Sequence, residues 1–182
     1  EADGASDMGS FTDQLVAGQI VNVLYPLIEQ ARMLVPKYDV VVTNPPYMGG
    51  SGMNARLSDY VKKVYPDSKS DLFAVFIERC AQMDKRGGYQ AMITQHAWMF
   101  LSSFEKLRNH IVDVQEISSL VHLGLGTFED LNSKVVQSVA FVLRNNYTRD
   151  YTGIYDRLFE TSGLYEDNAK KARWLCEGTH RY

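Results

Sequence analysis

The chain has 182 residues, 45% of them hydrophobic and 23% charged, with a formal net charge of −3. That is long enough for one domain with a real core, and too acidic for a typical self-sufficient nucleic-acid binder. No run of about 18 apolar residues occurs, so no membrane-spanning helix is expected, and the opening EADGASDMGS has neither the basic nor the apolar stretch of a signal peptide. The two cysteines, Cys80 and Cys176, lie far apart and the four histidines are scattered. This usage fits a reducing cytoplasm and argues against a disulfide framework or a metal site.

Residues 1–18 are rich in Gly, Ser and Asp and read as a loop. Ile20, Val23, Leu24, Leu27, Ile28, Ala31 and Leu34 then follow helical spacing. Pro26 is expected to kink or restart that helix and Pro36 to end it. The run Tyr38–Thr43 reads as a strand buried on both faces. Residues 48–69 are polar and glycine-bearing, with a short helix near 57–64. Leu72, Val75, Phe76, Ile77, Cys80 and Met83 predict a buried helix, capped by Arg86-Gly87-Gly88. Tyr89–Thr94 is the next strand. Ser102 and Glu105 match a capping box ahead of a helix carrying Phe104, Leu107 and Ile111. Ile117–Leu123 and Val135–Leu143 read as two more strands with no helical pattern between them, hence an antiparallel pair at the sheet edge. After Asn146 the sequence turns polar and aromatic, with a helix near Asp167–Leu175. This alternation predicts an α/β layer fold with a largely parallel sheet.

Asn44-Pro45-Pro46-Tyr47 closes the first strand, and in open α/β sheets ligands bind beyond the carboxyl ends of the strands. Neither proline can donate to a ladder, and each holds φ near about −65°. A carboxamide oxygen, a backbone carbonyl and a flat ring are thereby held ready for a planar substrate with an exocyclic amino group. Asn and Pro also suit an ordinary strand end; the apolar strand before them and the aromatic after them favour the functional reading. Gly49-Gly50-Ser51-Gly52 lacks the Gly-Lys-Ser/Thr continuation of a phosphate loop and reads as a cover over the site. Lys62, Lys63 and Lys69 read as solvated, Lys134 as a candidate phosphate contact, and His96, His122, Trp98 and Phe100 as structural.

A strand running into Asn-Pro-Pro-Tyr resembles the catalytic motif of amino-methyltransferases that use S-adenosylmethionine, above all the N6-adenine-specific DNA methyltransferases. DLFAVFIERC resembles the helix after that family's catalytic loop, GGYQAMIT its next strand and FLSSFEKLR the helix beyond. GTFEDLNSKVVQSVAFVL resembles its aromatic loop and final hairpin strand. The fuller run NPPYMGGSGMN…YPDSKSDLFAVFIERC…MITQHAWMFLSSFEKLR is similar to the large adenine methyltransferases of bacterial BREX phage defence, the phage-growth-limitation X group.

The resemblance covers residues 38–145. It implies a partial Rossmann-like S-adenosylmethionine-dependent methyltransferase fold, the C-terminal half of the sheet ending in an antiparallel hairpin. It also implies a cytoplasmic, site-specific enzyme that moves a methyl group from S-adenosylmethionine to N6 of a flipped adenine in double-stranded DNA. Restriction-modification or BREX-type defence is the implied setting, with further defence-system proteins as partners. By the same resemblance Asn44 and the Pro45 carbonyl accept hydrogen bonds from the adenine amino group, and Pro46 completes the rigid catalytic motif. Tyr47 and Phe128 then sandwich the base. Leu72 and Phe76 line the cofactor's adenine pocket, Asp7 (or Asp3) reaches the cofactor, and Lys134 meets the DNA backbone.

The family's D-P-x-x-G-x-G cofactor motif and its acidic ribose-binding residue are absent from this sequence. Residues 1–147 are therefore expected to be the C-terminal part of a catalytic domain, and 148–182 the start of a linker or target-recognition region. The chain by itself is expected to bind the cofactor weakly and to be inactive. Asn-Pro-Pro-Tyr also serves methyltransferases of protein glutamine and of ribosomal RNA guanine N2. A non-catalytic DNA-binding or assembly module of a defence complex is a third reading.

Overall fold

The computed structural model describes residues 13, 16–128, 136–160 and 163–182, and the chain falls into two units, residues 1–36 and 37–182. In the first unit Ile20–Leu24 form a π-helical stretch that passes into helix α1, Tyr25–Leu34. Pro26 sits in the first turn of α1. It has no N–H for the carbonyl one turn back, and the widened turn before it is how the helix accommodates that loss. The helix runs on through Pro26, and the irregularity expected there takes the form of this π-helical stretch.

The second unit is built in chain order from β1 (Tyr38–Thr43), α2 (Ala55–Val64), α3 (Leu72–Ala81), β2 (Asp84–Gln95), α4 (Glu105–Val114), β3 (Glu116–Gly124), β4 (Ser138–Arg144), β5 (Ile154–Arg157) and α5 (Asn168–Glu177). Its five strands form one sheet in the order β1-β2-β4-β3-β5. β1 runs parallel to β2 and β3 parallel to β5, while β4 lies antiparallel between β2 and β3. The carboxyl ends of β1, β2 and β3 therefore share one end of the sheet.

One face of the sheet is packed and carries the core. Phe73, Ala74, Ile77 and Cys80 form the inward stripe of α3, and Leu107 and Ile111 that of α4. They close over Met92 of β2 and over Val139, Phe141 and Leu143, which alternate along β4 as the two-residue strand period requires. A second cluster, Val61, Tyr65 and Val75, joins α2 to α3. The opposite face is also apolar but open: Val42, Ile93, Val121, Ala140 and Val142 line a cavity of about 500 Å³.

Several local expectations are corrected. The sheet is half parallel rather than largely so, because β4 inserts between β2 and β3. The antiparallel pair accordingly sits inside the sheet, and β5 takes the edge. That fifth strand was not expected: four residues, IYDR, are too short to show a period. β1 is an edge strand and not doubly buried, with Val42 71% exposed. Gly87, with φ of 78°, belongs to β2 and not to a helix cap; α3 ends at Ala81 and the strand starts at Asp84. Ser102 opens a single 3-10 turn, and no side chain caps α4.

Asp84 begins β2 while only 3% exposed, and neither carboxylate oxygen has a hydrogen-bond partner among the described residues. Burial pushes its pKa up from 3.8 to about 6, against the attraction of Lys37. The folded-state value lies above the unfolded one, so the group's contribution to stability is fully present below pH ~4 and is lost as pH rises through 6. Asp84→Asn should therefore raise stability at pH 8 by about 1–3 kcal/mol and have little effect at pH ~4. Urea unfolding at the two pH values checks this; an equal effect at both would contradict it.

Candidate functional site

The β1–β2 ladder runs to the Thr43–Met92 rung, and the two prolines that follow cannot extend it. Asn44 is exposed and stands at the end of the open cavity along the bare sheet face. Pro45 is buried and Pro46 exposed, so the first proline anchors the turn and the second leaves it at the surface. Tyr47 is half-buried and meets Phe73 of α3 edge to face, with ring centroids 6.1 Å apart at 80°. Phe73 in turn packs on Phe104 at 5.7 Å. The Tyr47 hydroxyl is shut away from solvent, with Ser138 beside it but outside good hydrogen-bonding geometry. Burial raises its pKa, so the phenol stays protonated.

What holds this loop is Asp71, which the sequence analysis did not single out. Its Oδ1 accepts from the backbone N–H of Phe73 at 3.3 Å, capping α3, and from that of Met48 at 3.0 Å. Leu72 N–H returns a bond to the Met48 carbonyl at 2.9 Å, and Gly50 N–H donates to the Ser70 carbonyl at 3.3 Å. The chain leaving Asn-Pro-Pro-Tyr is thus stitched to the start of α3 as a short ladder. An acidic residue directly ahead of an apolar helical run is a recognisable cap signal; its grip on Met48 leaves no local trace.

The carboxyl ends of β2 and β3 complete this end of the sheet. Gln95 and Gly124 both pair with Ser138, so the loop between β3 and β4 springs from the residue beside Tyr47. Phe128, half-buried, lies on the outgoing arm of that loop. Trp98 is buried and donates its indole N–H to Thr94 Oγ1 at 3.1 Å, edge-on to Phe141. Arg108 of α4 holds this stretch by donating to the Trp98 and Leu101 carbonyls at 2.9 and 2.6 Å. His96 Nδ1 and His122 Nε2 lie 3.2 Å apart, between Phe100 and Phe159. Burial lowers both pKa values, that of His122 to about 4 with the help of His96 and Arg157, so both rings are neutral at pH 7. The expectation that these histidines serve structure fits this half-buried, mutually bonded pair.

The structure therefore groups Asn44, Pro45, Pro46, Tyr47 and the root of the Phe128 loop at one end of the sheet. Leu72 adjoins them through its bond to Met48, with its side chain on the Val61–Tyr65–Val75 cluster, while Phe76 packs, half-buried, against the main core. Asp7 and Lys134 lie outside the described residues. The described residues include no group of three or more His, Cys, Asp and Glu placed to hold a metal ion. The chemistry on offer is two hydrogen-bond acceptors, protonated or neutral rings and apolar walls. Such an arrangement can grip and orient a flat, amino-bearing group.

Asp71→Ala should remove both grips and lower stability by about 1–2 kcal/mol in urea unfolding. Asp71→Asn, which keeps an acceptor oxygen, should lose less than half of that. Equal losses in the two variants would show that the hydrogen bonds to Met48 and Phe73 are not what matters.

The comparisons with known proteins agree with this geometry. The model of the Eco57I restriction-modification methylase family matches residues 19–128. The adenine-specific methyltransferase BrxX of Escherichia coli O9:H4 (strain HS) is 41% identical over 153 residues, covering 84% of this chain and 13% of that protein. The adenine-specific methyltransferase PglX of Lacticaseibacillus casei (strain Zhang) is 46% identical over 134 residues, covering 74% of this chain and 11% of that protein. The chain thus spans about an eighth of the length of the curated relatives it matches. Among solved structures, a class I S-adenosylmethionine-dependent methyltransferase of Listeria monocytogenes (lmo1582) superposes with a TM-score of 0.54. It shares 22% identity over 79% of this chain and 42% of that one. The sheet described above is therefore part of a Rossmann-like methyltransferase fold, and the chain belongs to the Eco57I restriction-modification methylase family.

Proposed function

We propose that this chain forms the acceptor-base side of an N6-adenine DNA methyltransferase of the relatives' length, a cytoplasmic enzyme of restriction-modification or BREX-type phage defence. The observation that carries the reading is the Asn44–Tyr47 turn. It is rigid, held to α3 through Asp71, and set at the carboxyl end of β1 beside the root of the Phe128 loop. The relatives named adenine-specific methyltransferases support adenine as the acceptor. Further proteins of the defence system are its proposed partners, and Lys134 its proposed DNA-backbone contact.

In this reading the Asn44 carboxamide oxygen and the Pro45 carbonyl accept the two N–H bonds of the adenine amino group. That leaves the nitrogen lone pair directed at the incoming methyl. S-adenosylmethionine, held by Leu72, Phe76 and Asp7, would supply an electrophilic methyl group from its sulfonium, and the proton lost from the amino group would pass to solvent. No enzyme nucleophile takes part, and the rate comes from positioning and from the fixed acceptors. Tyr47 and Phe128 cover the two faces of the extruded base. Stacking is worth roughly 1–3 kcal/mol per contact, enough for two rings to offset the few kcal/mol that flipping costs.

The residues present fit the cofactor in part. Leu72 and Phe76 are half-buried on the helix that anchors the catalytic turn, which suits the adenine ring of S-adenosylmethionine. Asp7 is the proposed acidic partner. Among the described residues β1 stands at the edge of the sheet, where a larger sheet would continue, and its Val40 and Val42 are exposed.

The decisive test is methylation of DNA by the full-length protein with labelled cofactor. Asn44→Ala should lower incorporation by roughly 100-fold or more while the protein stays folded. Equal incorporation would sink the mechanism, and label in protein or ribosomal RNA would move the acceptor away from DNA. The 182-residue chain alone should show no micromolar binding of S-adenosylmethionine by calorimetry; such binding would overturn the division of the site proposed here.

A further inference from the structure

Helix α5 carries a lysine where lysines are rarely found. Lys171 is only 5% exposed, and its Nζ donates to the backbone carbonyl of Leu125 at 2.5 Å. Burying an ammonium group is unfavourable unless its hydrogen bonds are well made. The acceptor is no arbitrary one: Leu125 stands three residues before Phe128, on the arm leaving β3.

The same short arm is held from three further directions. Leu125 N–H donates to the Leu164 carbonyl at 2.8 Å, and Leu125 and Tyr165 form an isolated parallel bridge. Gly126, with φ of 71°, lies against the Tyr165 ring, where a Cβ would collide with the ring carbons. Gly124, with φ of 68°, is pressed against the Leu164 carbonyl and Phe159, whose atoms would stand 2.6 and 2.7 Å from a Cβ. Leu158 N–H donates to the His122 carbonyl at 2.9 Å, fastening the segment after β5 to the last residues of β3. Asp167 caps α5 through Ala169 and Lys170, at 3.0 and 3.2 Å, and so fixes the turn that presents Lys171.

We propose that residues 158–160 and 163–171 form a clamp that sets the direction in which the arm 124–128 leaves β3, with Lys171 as a positioning residue for Phe128. The inference rests on the proposed role of Phe128 as a base-stacking residue. It gives a part in catalysis to a stretch that touches neither the Asn44–Tyr47 turn nor the acceptor base. Two glycines at positive φ and a buried cation on a carbonyl are a costly way merely to close a loop. Together they hold the arm before Phe128 at three successive residues, Gly124, Leu125 and Gly126. Burial lowers the pKa of Lys171, against the opposing attraction of Glu166 and Asp167 just ahead of its helix.

The test uses the full-length protein and a DNA duplex carrying 2-aminopurine at the target adenine, whose fluorescence rises when the base leaves the stack. Lys171→Met keeps the length and removes the charge. It should lower kcat/KM for DNA by roughly 10- to 100-fold and weaken the fluorescence rise, with the KM for S-adenosylmethionine unchanged. Tyr165→Ala, at a residue 59% exposed, should act in the same direction without unfolding the protein. In a Phe128→Ala background neither change should cost anything more, because the clamp acts through that ring. Additive losses in the double variants, or full activity of both Lys171→Met and Tyr165→Ala beside an inactive Asn44→Ala, would overturn the clamp and leave the methyltransferase reading intact. An active Asn44→Ala would instead remove the reading on which the clamp depends.

Discussion

One carboxylate oxygen carries much of this structure. Asp71 Oδ1 accepts from Phe73 N–H and from Met48 N–H, and so ends one element and begins another with the same atom. The chain it grips has just passed through two prolines that offer no N–H of their own. Without that grip the turn would be stiff but not aimed. With it, Tyr47 is brought down onto Phe73, and Phe73 onto Phe104, so the turn's orientation is inherited from the core.

The sheet topology decides what else reaches this end. β4 enters between β2 and β3, and Ser138 therefore pairs with both Gln95 and Gly124. That double pairing sets the root of the Phe128 loop next to the Tyr47 hydroxyl. Among the described residues the phenol at this end is protonated, and the two bonded imidazoles are held neutral by burial. A site of this kind recognises shape and hydrogen-bond donors, which suits a flat amino-bearing ring better than an ion.

Much of the fold is legible along the chain because burial is periodic. The stripe through Phe73, Ile77 and Cys80, and that through Leu107 and Ile111, mark helices, and Val139, Phe141 and Leu143 mark a strand. What misleads is punctuation. Arg86-Gly87-Gly88 looks like a helix cap, yet Gly87 lies within β2 next to the register shift in the β1–β2 ladder. Ser102 and Glu105 have capping-box spacing, yet the backbone makes a 3-10 turn there. β5 is too short to announce itself and exists because β3 offers it an edge. The Asn44–Tyr47 turn could be read directly, since no other residue pair restricts a backbone as two prolines do. The hold of Asp71 on Met48 and that of Lys171 on Leu125 could not, because the partners lie 23 and 46 residues away.

The sequence alone determined the chemistry: a carboxamide, a free carbonyl and an aromatic ring locked in order behind an apolar strand, with Phe128 in a glycine-bearing loop. Those are covalent and short-range properties, set by side-chain identity and by the fixed φ of proline. The tertiary structure alone decided that the turn and the loop share one end of a sheet. It also decided that the turn hangs from the cap of α3 and that the loop is held by a buried lysine. Such pairings depend on strand order and on hydrogen bonds between distant segments, and no local pattern encodes them.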